Sequence, residues 1–169
     1  MKAIYFIVLL IWQLDAHAAS SGAAGSHVAE GYNPITRTCG KMTKQAGPCG
    51  DLSRKNLNRA QFSGRNMDGI KLLRAKLRHS DLSNSRLQGA KLAFSELHEA
   101  SLSHADLRYA NLREANLYKA DLRGADLRGA NLRNARLAGA MLEQAIFNDE
   151  TVLPFSQTKA KALGMRYVP

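Results

Sequence analysis

Between Gly50 and Asp149 the chain has no proline and no cysteine. All four prolines (Pro34, Pro48, Pro154 and Pro169) lie outside this stretch, as expected of a region whose backbone amides must donate hydrogen bonds. The only two cysteines, Cys39 and Cys49, precede it and have no partnering pair of histidines, which excludes a zinc site. Long apolar runs are missing after residue 14, so nothing beyond the N-terminus could form a transmembrane helix. Acidic residues are in the minority: 14 Asp and Glu against 24 Lys and Arg give a net charge of +10. No cluster of carboxylates suggests acid–base cleavage, and the five histidines form neither a metal set nor a Ser–His–carboxylate arrangement.

What the sequence does have is a period. From Leu52 to Phe147 every fifth residue is apolar, in twenty consecutive steps, all leucine except Phe62, Met67 and Phe147. A second column two residues ahead contains only Ala or Ser from Ala75 onward. Five residues on an α-helix advance by about 500°, so the leucines would define no face. On a straight strand an odd step turns each leucine to the opposite side. A chain that bends after every five residues buries all of them. Repetition of this kind fixes the architecture before any other feature is weighed.

The clearest copies are Ala105–Tyr109 (ADLRY), Ala110–Glu114 (ANLRE), Ala115–Lys119 (ANLYK), Ala120–Gly124 (ADLRG), Ala125–Gly129 (ADLRG) and Ala130–Asn134 (ANLRN). They resemble the pentapeptide-repeat family, whose pattern is a small residue, Asp or Asn, Leu, and two variable residues. The resemblance implies an all-β fold, a right-handed four-sided parallel β-helix with one repeat per side. Twenty repeats over residues 50–149 then make about five coils. Members that pair do so commonly through the C-terminal end, so the resemblance implies that a helix over Gln157–Leu163 would either cap that end or form a contact between two copies. Some members of the family mimic duplex DNA and bind a topoisomerase through an acidic surface. The basic charge here and an export signal argue against that role.

The ends are expected to differ from the coil. Lys2, the apolar run from Ala3 to Leu14 and the sequence Ala16-His17-Ala18 have the layout of a signal peptide over residues 1–18, which places the mature chain in the periplasm or outside the cell. Residues 19–49 form an N-terminal segment in which an oxidising compartment would join Cys39 to Cys49, a closure worth roughly 2–4 kcal/mol. Residues 150–169 read as a C-terminal cap, with Ser156 starting a short helix over Gln157–Leu163 and Gly164 stopping it. Such a stack exposes an unpaired edge at each end unless it is capped. Lys55, Arg65 and Ile70 break the small-residue column, so the first coil is expected to be irregular.

Counting by twenties assigns every outward residue to one of four sides. Side A, built on Leu52, Leu72, Leu92, Leu112 and Leu132, carries Arg54, Lys71, Arg74, Lys91, Arg113 and Arg133 against Asp51 and Glu114. Side B, built on Leu57 to Leu137, carries Arg59, Lys76, Arg78, Lys119 and Arg136 against Glu96 and Glu99. Side C, on Phe62 to Leu142, has Arg123 against Asp81, Asp121 and Glu143. Side D mixes Arg86, Arg108 and Arg128 with Asp68, Asp106, Asp126 and Asp149.

Two adjacent sides are therefore basic. The candidate binding residues are Lys71, Arg74, Arg78, Lys91, Arg113 and Arg133, with Arg113 over Arg133 as the stacked pair expected to lack a carboxylate. The expected function is non-catalytic, without a cofactor or a metal. It is that of a binding or scaffold module for a protein or an anionic envelope polymer rather than for nucleic acid, with a rigid spacer as the alternative.

Overall fold

The computed structural model describes residues 50–169. The signal peptide expected over residues 1–18, the segment 19–49 and the Cys39–Cys49 bridge lie outside the described residues.

Each repeat binds its neighbours by one rule. The leucine amide donates to a carbonyl one coil ahead (Leu112 to Asn131, 2.8 Å), and the amide two residues later does the same (Glu114 to Arg133, 2.9 Å). The residue before the leucine donates one coil back (Asn111 to Ala90, 2.9 Å). The small residue closes a turn onto its own leucine (Ala115 to Leu112, 3.0 Å). Four of every five amides are thus bonded to backbone, which is why proline is missing from the coil. Residues twenty apart pair in parallel, from Asp51 with Lys71 through Asp126 with Ile146. The result is a right-handed quadrilateral β-helix. Its interior is the leucine column, fully buried from Leu77 to Leu132.

The fifth amide, directly after the leucine, explains the Asp/Asn column. In many repeats the side-chain oxygen two residues earlier accepts it: Asn111 from Arg113 (3.1 Å), Asn116 from Tyr118 (3.2 Å), Asp121 from Arg123 (3.1 Å). Asn111 and Asn131 therefore do not form a ladder with one another, since each turns back onto its own repeat. Where the small column holds serine, as at Ser80, Ser85 and Ser95, the hydroxyl donates to the leucine carbonyl three residues back.

Every last position of the repeats from 54 to 144 has a positive φ, the sign pattern of a type II turn. Six of these are glycine, and thirteen are not, including Tyr109 and Phe94. The corner thus demands the left-handed conformation whatever residue fills it, and coil stacking sustains the strain.

The first coil is regular, contrary to expectation. Asp51, Asn56, Gln61 and Asn66 all pair with the second coil. The misfit residues are accommodated because Lys55 stays exposed while Ile70 is buried in the core.

The other end departs from strict periodicity. Asn131 pairs with Val152, a step of twenty-one. The extra residue falls in the turn at 148–151. There Asn148 Oδ1 accepts the Gly129 amide (3.0 Å) and Thr151 Oγ1 donates to the Leu127 carbonyl (3.0 Å). Strand β1 (Ile146–Phe147) then pairs in parallel with β2 (Arg166–Tyr167). Helix α1 (Gln157–Ala162) lies between Val152 and β2 in the chain. Ser156 caps it by accepting the Lys159 amide (3.3 Å), and Gly164 follows at φ +79°. Ala160 and Met165 are buried and close the core.

Candidate anion-binding sides

The twenty-residue pairing fixes which charges share a side. Five of the six candidate cations, Lys71, Arg74, Lys91, Arg113 and Arg133, lie on side A. Arg78 lies round the corner on side B. The two sides differ from the other two in how their cations are engaged as well as in how many they carry.

On sides C and D the four arginines at outward positions each hold a carboxylate, while Arg65, half-buried in the small-residue column, has no ion-pair partner among the described residues. Arg86 pairs with Asp68 (2.7 Å), Arg108 with Asp106 (2.7 Å), Arg123 with Asp121 (2.8 Å) and Arg128 with Asp126 (2.6 Å). Arg108 also lies 3.8 Å from Asp126, so Arg108 and Arg128 stack with carboxylates between them. Hydrogen bonds from Arg108 and Arg123 hold the Asp106 and Asp121 carboxyls below their ordinary range. The same bonds raise both guanidiniums.

On sides A and B only two of twelve exposed or half-exposed cations, Lys55 included, reach a carboxylate among the described residues. Lys71 lies 3.9 Å from Asp51 and Arg113 lies 3.2 Å from Glu114. The Arg113 pair corrects the expectation that the stacked arginines of side A are bare: the residue following Arg113 in sequence reaches its guanidinium, and only Arg133 is left. Arg54, Arg74, Lys91 and Arg133 have no ion-pair partner among the described residues, and all are exposed. Arg74 instead lies over the Phe94 ring, 5.4 Å from its centroid.

Side B carries an open groove of about 650 Å³, lined in part by Arg78, His98, Tyr118 and Arg136. It opens because Ala138 and Gly139, in the fifth coil, carry almost no side chain beneath Tyr118. His98 sits between Arg78 and Tyr118 in the stack and accepts from Arg78 Nε at its Nε2. Burial lowers the His98 pKa, and the fields of Arg78 and His79 lower it further, so the ring is neutral near pH 7. His79 pairs with Glu99 at 3.2 Å. No group of three metal-ligating side chains occurs among the described residues, and no described helix is long and apolar enough to cross a membrane.

Sequence reasoning found the basic sides but missed Leu73 and Phe94. These are exposed apolar side chains in the second and third coils of side A, Phe94 at its corner, 38% and 43% accessible. They occupy variable positions of their repeats, and the register by twenties was the signal that could have located them.

The fold and its repeating bonds define a class: solid-cored quadrilateral solenoids, here closed by a C-terminal cap. The family described as pentapeptide repeats matches in eight copies over residues 56–93, 95–134 and 110–149. The chain belongs to this family. Among solved structures it is similar to the pentapeptide repeat protein Rfr23 from the cyanobacterium Cyanothece 51142, at 32% identity and a TM-score of 0.52, over 64% of this chain and 66% of that one. It thus spans just under two thirds of Rfr23. A pentapeptide repeat protein of the Arabidopsis thaliana thylakoid lumen matches at 29% identity and a TM-score of 0.42, over 71% of this chain and 83% of that one. QnrB1, a plasmid-mediated fluoroquinolone resistance protein, matches at 17% identity and a TM-score of 0.33, over 59% and 50% of the two chains. No curated protein matches the chain significantly.

Proposed function

We propose that the protein is a non-catalytic binding module that holds an anionic partner against sides A and B. The observation that carries this reading is the contrast in pairing. Four of the five arginines on sides C and D are neutralised in place by aspartates, whereas ten of the twelve cations on sides A and B have no carboxylate partner among the described residues. Like charges stacked about 4.8 Å apart repel unless anions intervene, so such a surface gains from an external polyanion. The acidic rod that a duplex-mimicking topoisomerase ligand needs is the opposite of this surface. The reading includes export by the N-terminal signal and a Cys39–Cys49 bridge, which Lys2, the following apolar run and the cysteine spacing support.

Binding of the full chain to inorganic polyphosphate and to a sulfated glycan, titrated with salt, tests the reading. Binding should fall steeply as salt rises, because each neutralised anion releases a counterion. Lys91→Glu, Arg133→Glu and Arg136→Glu together should remove it, and Arg123→Glu on side C should leave it nearly intact. Salt-insensitive binding, or equal losses from both sets, would refute it.

A further inference from the structure

We infer that side A docks on an anionic phospholipid surface, a conclusion that rests on the proposed binding of anions and names the partner.

A hydrated polymer gives no reason for two exposed apolar side chains on side A. Leu73 and Phe94 are 38% and 43% exposed and sit one coil and one residue apart. Around them stand Lys71 and Lys91 on one flank, Arg74 against the Phe94 ring at 5.4 Å, and Arg113 and Arg133 in the coils beyond. Leu73 and the Phe94 ring are apolar and form no ion pairs, so in a polyanion complex they would be left against water.

The patch is also the wrong kind for a protein partner. Stable protein interfaces bury about 1,600 Å² around a contiguous apolar core. Here only two apolar side chains stand among cations on a parallel-sheet side. A bilayer headgroup layer matches both features. Its phosphates meet the cations, and its shallow acyl boundary accepts a Leu and a Phe without a deep pocket. Each cation near such a surface strengthens binding about fivefold, so the four on side A without carboxylate partners suffice for salt-sensitive attachment. Every repeat turns at the same corner conformation and pairs in the same twenty-residue register, so Leu73, Phe94 and the cations recur on one side.

The experiment is sedimentation of the full chain with two vesicle types, one of phosphatidylcholine alone and one containing about a third phosphatidylglycerol, run beside polyphosphate binding. The wild-type chain should bind the anionic vesicles and not the neutral ones. Leu73→Ser with Phe94→Ser should weaken vesicle binding about tenfold while leaving polyphosphate binding unchanged. Lys91→Glu with Arg133→Glu should weaken both. All four side chains are exposed, and circular dichroism of each variant checks that the coil is retained. If polyphosphate binds and anionic vesicles do not, or if the Leu73/Phe94 variant binds vesicles as the wild type does, this inference fails while the proposed function stands. If neither polyanion nor vesicle binds, both fail.

Discussion

Gly129→Ala should destabilise the coil more than Gly89→Ala, although both glycines occupy the same corner at φ +67° and +66°. A left-handed alanine costs about 1 kcal/mol. The reduced freedom of the unfolded chain returns about 0.4–1 kcal/mol. Gly89→Ala, whose added Cβ meets nothing within 4 Å, is therefore strained by the corner alone and should cost up to about 1 kcal/mol. At Gly129 the Cβ would lie 2.5 Å from Tyr109 Cε1, because the ring lies directly over the glycine one coil on. The ring must tilt off its rotamer, at about 0.5–1.5 kcal/mol, and lose part of its contact with the neighbouring coil. The expected difference between the two variants is about 1–2 kcal/mol. Denaturant melts followed by circular dichroism would measure it, with Tyr109→Ala completing a double-mutant cycle. In the Tyr109→Ala background the excess penalty over Gly89→Ala should vanish, since the open corner then resembles Gly89. Equal midpoints for the two glycine variants, or an excess penalty that survives the removal of Tyr109, would show that the corner and not the stacked ring sets the cost.

Two further outcomes bear on the core and the paired sides. Leu112→Ala, fully buried in the middle coils, should cost about 3–5 kcal/mol because coils fixed by ladder bonds cannot collapse into the cavity, whereas half-buried Leu137→Ala in the last coil should cost about 1–2 kcal/mol; urea melts of both would compare them. Asp106 and Asp121 titrate lower folded than unfolded, so their contribution is present above the unfolded carboxylate pKa of about 4 and is lost as pH falls through the lowered folded values. Asp106→Asn with Asp121→Asn should flatten the acid limb of a stability–pH curve below about pH 4, and an unchanged limb would place acid sensitivity elsewhere.

Much of the candidate site was legible because the period is rigid. Once residues twenty apart share a side, Lys71, Arg74, Lys91, Arg113 and Arg133 fall together by counting alone. What counting could not give is the engagement of each charge. Arg113 reaches the carboxylate of Glu114, and Asn111 turns inward to the amide of Arg113, because side-chain torsions choose among neighbours that the register only brings near. The regular first coil was unreadable for a similar reason. Lys55 and Ile70 break the small-residue column, yet backbone pairing tolerates one by exposing it and the other by burying it.

The sequence by itself determined a chain that bends every five residues, and with the four sides that the family resemblance implies it determined the charge on each side. Tertiary structure decided three things that are not periodic. It set the step of twenty-one between Asn131 and Val152, made affordable by Asn148 and Thr151 bonding to Gly129 and Leu127. It selected which cations are neutralised and which have no partner. It also brought Leu73 and Phe94 to the surface among those cations. Local pattern fixes where the backbone turns. The contacts of side chains from different coils depend on stacking that no single repeat contains.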